Sequence, residues 1–131
     1  MITCNFDGAC GPVNPGGEMG AGVVVYENGK IIYERSKTYR AHEYNTNNVA
    51  EYLALTILLD FFIDRGLTNE KIKIMGDSML VVKQMNGKWR IKSGYYYTQA
   101  IIARDKFLQF TNTTIEWIPR EQNGVADELS K

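Results

Sequence analysis

At 131 residues the chain is long enough for one compact domain with a real core. Fifteen basic and fifteen acidic residues cancel, so no overall positive charge argues for a polyanionic partner; such attraction must come from a local basic patch or from bound cations. Two cysteines exclude a disulfide framework, and a single histidine cannot complete a zinc site with Cys4 and Cys10.

Ile2, Cys4 and Phe6 alternate with Thr3, Asn5 and Asp7, which predicts a strand with one apolar face. A Gly- and Pro-containing loop is expected from Gly8 to Gly20, then a strand over Ala21–Tyr26. Asn28-Gly29 is a strong hairpin signal, and the returning strand is expected over Lys30–Tyr39. Val49, Leu53, Ile57, Leu58, Phe61 and Phe62 recur at helical spacing, with Thr46, Asn47 and Asn48 as N-cap candidates and Gly66 as the stop. A short strand follows over Ile72–Met75, then helices over Ser78–Met85 and Tyr95–Phe110, with Tyr95, Tyr96 and Tyr97 packing at a helix start. A last strand runs over Thr114–Ile118, and a short helix carries Val125–Leu129.

There is no repeat or linker, so residues 1–131 read as one α/β domain: a five-stranded mixed sheet, an antiparallel meander joined to parallel strands, with helices packed on it. Met1–Asp7 has no basic lead of a signal peptide. The most apolar run, Leu53–Ile63, is too short to span a bilayer and contains Asp60. Free thiols fit a reducing compartment, so the expected location is cytoplasmic; nothing suggests an oligomer, and a monomer is expected.

Ligands of open α/β sheets collect outside the carboxyl ends of the strands. Asp7 is expected to end the first strand and Asp77 the fourth, with Glu51 on the helix leading into the fourth strand and Asp127 on the last helix. Each has an ordinary alternative: a turn or cap residue for Asp7 and Asp77, a capping partner for Glu51, solvated surface for Asp127. Together they fall at one end of one sheet. Unneutralised carboxylates about 4 Å apart repel by roughly 4 kcal/mol per pair at an intermediate dielectric, a cost a hard divalent cation removes.

The chain resembles type I ribonuclease H over essentially its whole length. The motifs that carry the likeness are Asp7-Gly8-Ala9-Cys10 with Asn14-Pro15-Gly16-Gly17, Thr46-Asn47-Asn48 with Glu51, Gly76-Asp77-Ser78 with Val81 to Trp89, and Trp117 to Asn123 with Ala126-Asp127-Glu128-Leu129. The resemblance implies a ribonuclease H-like fold and hydrolysis of the RNA strand of an RNA–DNA hybrid, giving 5′-phosphate and 3′-hydroxyl ends; double-stranded RNA is a conceivable side substrate. It implies two Mg²⁺ ions, with Mn²⁺ as a substitute. Asp7 would bridge them, Asp127 would help hold the ion that activates water, and Glu51 and Asp77 the ion beside the leaving 3′ oxygen. Less directly it implies substrate contacts from Gly8, Asn14, Asn47, Asn48 and Ser78, and a backbone-binding patch of Lys83, Lys88, Trp89 and Arg90 next to Lys92.

Three departures from the family pattern stand out. The loop Pro119–Gly124 lacks the histidine that many members carry before the last Asp, with Arg120 or Glu121 near that place, and His42 reads as a surface residue. No separate basic protrusion precedes the long helix; only Arg90 to Gly94 intervenes. Asp127 lies so near Lys131 that a frayed last turn is expected to leave it poorly placed.

Overall fold

The computed structural model describes residues 1–131. Strand β1 (Ile2–Gly11) lies at the centre of its sheet. On one side β1 pairs antiparallel with β2 (Glu18–Glu27), which pairs antiparallel with β3 (Lys30–Tyr39). On the other side it pairs parallel with β4 (Ile72–Gly76), and β4 with β5 (Thr113–Trp117). The order β3-β2-β1-β4-β5 is the expected five-stranded mixed sheet. Asn28 and Gly29 both have positive φ, 52° and 82°, as a two-residue hairpin turn requires.

Helix α1 (Asn47–Asp64) covers one face. Its side chains Tyr52, Leu55, Leu58, Leu59 and Phe62 meet Ile2, Cys4, Phe6, Val23, Val25, Ile72 and Ile74 in one core. Full burial of each large aliphatic or aromatic group contributes roughly 1.5–3 kcal/mol. Helix α2 (Met79–Met85) follows β4, and α3 (Tyr97–Phe107) brings Ala100 and Ala103 into the same core. Helix α4 (Gly124–Leu129) lies on the opposite face, over β2 and β1. Its seat depends on missing side chains: a Cβ at Gly22 would strike the Ala126 carbonyl, and one at Gly20 the Ser130 carbonyl.

Two boundaries differ from expectation. β1 runs on to Gly11 and β2 begins at Glu18, so the connecting loop is much shorter than Gly8–Gly20. Residues 8–11 and 18–20 pair through backbone groups, which need no apolar alternation, and the glycines there erased the pattern without breaking the ladder. Helix α3 is also shorter than Tyr95–Phe110; Tyr96 stands just ahead of it and has bonds of its own. No helix is long and apolar enough to cross a membrane.

A candidate metal centre beside the end of β4

Phe6 pairs with Gly76, the last residue of β4, so Asp7 and Asp77 are the next residues on adjacent parallel strands. Asp7 is therefore not at the end of its own strand. The ligand site opens because β4 stops there while β1 continues. Gly8 supplies the third partner: a Cβ on it would fall on the Ala50 carbonyl carbon and the Glu51 nitrogen, so only glycine lets α1 settle this close to β1. Thr46 caps α1, its Oγ1 accepting from the Val49 N–H at 3.0 Å, which leaves Glu51 free of any capping duty.

One carboxylate oxygen from each of Asp7, Glu51 and Asp77 lies within 4.8 Å of the others. Asp7 is 6% exposed and Glu51 8%. Burial, then the Asp77 charge, then Asp127 push Asp7 up to about 7; the Gly8 backbone N–H opposes this. Burial, then the charges of Asp7 and Asp77, hold Glu51 well above the ordinary carboxylate range, again with Gly8 opposing. Glu51 Oε1 is buried without a hydrogen-bond partner. Three converging hard oxygen donors, with an unpartnered oxygen on one of the three carboxylates, fit a divalent cation better than any hydrogen-bonding role inside the chain.

Asp127 lines the same cleft of about 280 Å³, with Asn47 and Arg120, but stands outside the tight trio. It pairs with the Arg120 guanidinium at 3.7 Å and the Lys131 ammonium at 3.6 Å. The expectation of a frayed last turn meets specific anchors instead. Asn123 is buried, donates to the Phe6 carbonyl at 3.0 Å and accepts from Asn5 at 3.0 Å. The Ser130 hydroxyl donates to the Asp127 carbonyl at 2.8 Å and lies 3.4 Å from Asp7 Oδ2. The Ser36 hydroxyl donates to the Leu129 carbonyl.

The remaining predicted residues lie largely around two further depressions, both of which Tyr96 lines. Around one, Asn14 Oδ1 accepts from the Asn47 N–H at 3.2 Å, and Asn47 Oδ1 accepts from the Cys10 N–H at 2.8 Å. Their side-chain oxygens thus tie the end of β1 and the β1–β2 loop to α1, while the amide NH₂ groups donate to nothing in the chain. With Asn48 they border a shallow depression that reaches Tyr95 and Tyr96. In the other, Lys88, Trp89, Arg90 and Lys92 line a groove of about 510 Å³ with Leu80, Gln84 and Tyr96. Lys83 sits on α2, where its carbonyl accepts from the N–H groups of Lys88 and Trp89. Ser78 caps α2, its Oγ accepting from the Val81 N–H at 3.3 Å. His42 is exposed, with Nδ1 accepting from the Tyr44 N–H.

Several supporting residues carried no readable signal. Asn5, Asn123 and Ser130 seat α4, and Trp117 Nε1 donates to the Asp77 carbonyl at 3.2 Å. Asn5, Asn123 and Trp117 act through partners far away in sequence, and Ser130 through the nearby Asp127 carbonyl. Only the position of Asn5, facing the same side of β1 as Asp7, hinted at such a role.

The model of the Reverse transcriptase-like family matches residues 5–131. Ribonuclease HI of Halobacterium salinarum is 36% identical over 126 residues, which is 95% of this chain and 60% of that protein. Bifunctional protein Rv2228c of Mycobacterium tuberculosis is 39% identical over 85 residues, 65% of this chain and 23% of that protein. The chain thus spans less than two thirds of the length of these curated relatives. The structure of RNase H1 from Halobacterium salinarum matches with a TM-score of 0.85 at 32% identity, covering 98% of this chain and 93% of that one. LC11-RNase H1, isolated from compost and solved in complex with an RNA/DNA hybrid, gives 0.85 at 34% identity, covering 99% and 94%.

Proposed function

This chain belongs to the Reverse transcriptase-like family of ribonuclease H-like domains, and on that premise we propose that it is an endonuclease hydrolysing the RNA strand of RNA–DNA hybrids, leaving 5′-phosphate and 3′-hydroxyl ends. The observation that carries the reading is the convergence of one carboxylate oxygen from each of Asp7, Glu51 and Asp77 within 4.8 Å of one another. Two Mg²⁺ ions, replaceable by Mn²⁺, supply the Lewis acidity that such chemistry needs when bound here.

Asp7, Glu51, Asp77 and Asp127 are the ligands in this reading. Asp7 and Glu51 must give up the protons that burial favours, so binding of the cation and release of protons are coupled. Asp127, partly exposed, completes the set from α4, with Arg120 beside it. Glu51 also stands where it could accept from a 2′-hydroxyl, the group that distinguishes RNA from DNA.

Asn14 and Asn47 spend their oxygens internally and keep their NH₂ donors. With Asn48 they suit the shallow minor groove, where shape and sugar edges are read rather than sequence. Gly8 lines the cleft beside the carboxylates, and Ser78, next along the chain from Asp77, is a further substrate contact in this reading. Lys83, Lys88 and Arg90 supply positive charge for the phosphates, and the half-exposed Trp89 offers a stacking face. The reading places the protein in the cytoplasm, acting as a monomer.

Cleavage of labelled hybrid, double-stranded RNA and double-stranded DNA side by side, with Mg²⁺ or EDTA, tests this. Cleavage of the RNA strand of the hybrid with Mg²⁺ alone supports it, with or without weaker cutting of double-stranded RNA. Preferred cutting of double-stranded DNA, or of any substrate in EDTA, overturns it.

A further inference from the structure

Gln84 is a buried polar residue, 4% exposed, at the end of α2 that faces the interior. All of its side-chain groups are used. Its Oε1 accepts from the Tyr52 hydroxyl at 2.6 Å, and its Nε2 donates to the Arg90 carbonyl and to the Tyr96 hydroxyl, both at 3.0 Å. The Tyr96 oxygen in turn accepts from the Lys92 N–H at 3.3 Å. The rings of Tyr52 and Tyr96 lie parallel, 6.0 Å between centroids and 3° between planes. One polar network thus links three places: α1 one residue past Glu51, α2, and the segment between α2 and α3.

That segment is where an independent anchor is needed. Residues 90 to 93 belong to no helix or strand and make no backbone–backbone hydrogen bond. Apart from the packing of Ile91 against the core, Gln84 and Tyr96 hold them. The same segment carries Arg90 and Lys92, and Lys88 and Trp89 lead into it. A satisfied buried polar network specifies one geometry, whereas apolar packing alone tolerates sliding. Its terminus on α1 is Tyr52, whose neighbour Glu51 belongs to the carboxylate cluster.

We infer that Gln84, with Tyr52 and Tyr96, is a positioning clamp that fixes the basic strap of residues 88–92 at a set distance from the carboxylates, so that a nucleic-acid backbone engages both at once. The inference rests on the proposed nuclease reading and adds to it a specific residue and a specific step, substrate engagement rather than chemistry. The clamp lets a short, irregular strap serve without a folded unit of its own.

Gln84→Met preserves length and removes the network; Tyr96→Phe removes one hydroxyl and keeps the ring, so folding is not in question. Because the strap meets phosphates, both variants should raise KM for hybrid roughly tenfold at moderate salt and flatten its salt dependence. With the carboxylates undisturbed, kcat should stay within about twofold and half-saturation by Mg²⁺ should not move. In a background already carrying Lys88→Ala, Arg90→Ala and Lys92→Ala, Gln84→Met should add less than about twofold to KM, because both changes act on one contact. A fall in kcat at constant KM, or an undiminished effect in that background, overturns the clamp. Amide exchange at Lys92 gives a readout that needs no substrate, and Tyr96→Phe should speed it about tenfold. Unchanged exchange also overturns the clamp. A wild-type chain that neither binds nor cuts hybrid would instead sink the nuclease reading, leaving the exchange result to decide the clamp alone.

Discussion

Replacing Asp7 by asparagine should stabilise the metal-free protein while abolishing hydrolysis. Asp7 is raised from its ordinary value of 3.8 to about 7 by burial and by the charges of Asp77 and Asp127. The folded protein therefore holds this proton more tightly than the unfolded chain does. The stability it contributes is complete below about pH 4 and is lost as pH rises through about 7. The full difference corresponds to roughly 4 kcal/mol, and because the carboxylate faces an open cleft whose water screens the repulsion, about 2 kcal/mol is the expected cost. The Asp7→Asn side chain keeps the shape and removes the charge. In EDTA near pH 8 the variant should melt about 6 °C above the wild type, and the gap should close as pH falls toward 4. Thermal melts at several pH values, paired with hybrid cleavage in Mg²⁺, check both halves. A variant no more stable than the wild type near pH 8 in EDTA would refute the claim that the cluster is electrostatically strained. Undiminished cleavage would refute the role of Asp7 as a ligand.

Three further outcomes follow from the same geometry. Mg²⁺ should raise the melting temperature more near pH 8 than near pH 5.5, where protons already relieve the cluster; about 1.4 kcal/mol is expected at ten times Kd, and an equal shift at both pH values would contradict coupled proton release. Gly8→Ala places a methyl on the Ala50 carbonyl carbon and should cost about 2 kcal/mol and more than about tenfold in kcat by moving Glu51; wild-type turnover in a folded variant would disprove the close approach. Asn123→Ala leaves the Phe6 carbonyl and Asn5 unpaired, so a loss of about 2–3 kcal/mol is expected on chemical denaturation, together with a higher Mg²⁺ requirement as Asp127 loses its seat.

The legible parts of this chain were those that repeat or interrupt a pattern. Ile2, Cys4 and Phe6 gave the first strand, Asn28-Gly29 the hairpin, and the apolar stripe of α1 its helix, because each is a local signal with a local cause. Strand ends were less legible. Cys10, Gly11 and Gly20 sit in a ladder that backbone groups alone maintain, so the sequence shows a loop where the structure shows paired strands. Asp77 was legible because it follows the end of β4 and Glu51 because it lies near the capped start of α1, whereas Asp7, inside β1, and Asp127 were legible from the motifs around them. Gln84 was not: a glutamine on a short amphipathic helix looks solvated until α1, α3 and the strap close over it. Asn123 was hidden in the same way, its two partners Asn5 and Phe6 lying 118 and 117 residues back along the chain.

The four carboxylates are also held by different means, and this sets what each can do. Asp7 hangs from a paired strand, Asp77 follows directly on the end of another, and Glu51 hangs from an eighteen-residue helix pressed against Gly8. Moving any of them requires breaking a ladder or unpacking a core. Asp127 hangs from a six-residue helix fastened to the sheet by side-chain hydrogen bonds, and its charge is shared between Arg120 and Lys131. A few such bonds at about 1 kcal/mol each are a weak restraint beside a packed helix. On the proposed reading the trio is a preformed half-site, and Asp127 is the fourth and least firmly held member. Substitutions that loosen α4, Asn123→Ala foremost, should therefore raise the metal requirement together with their cost to stability.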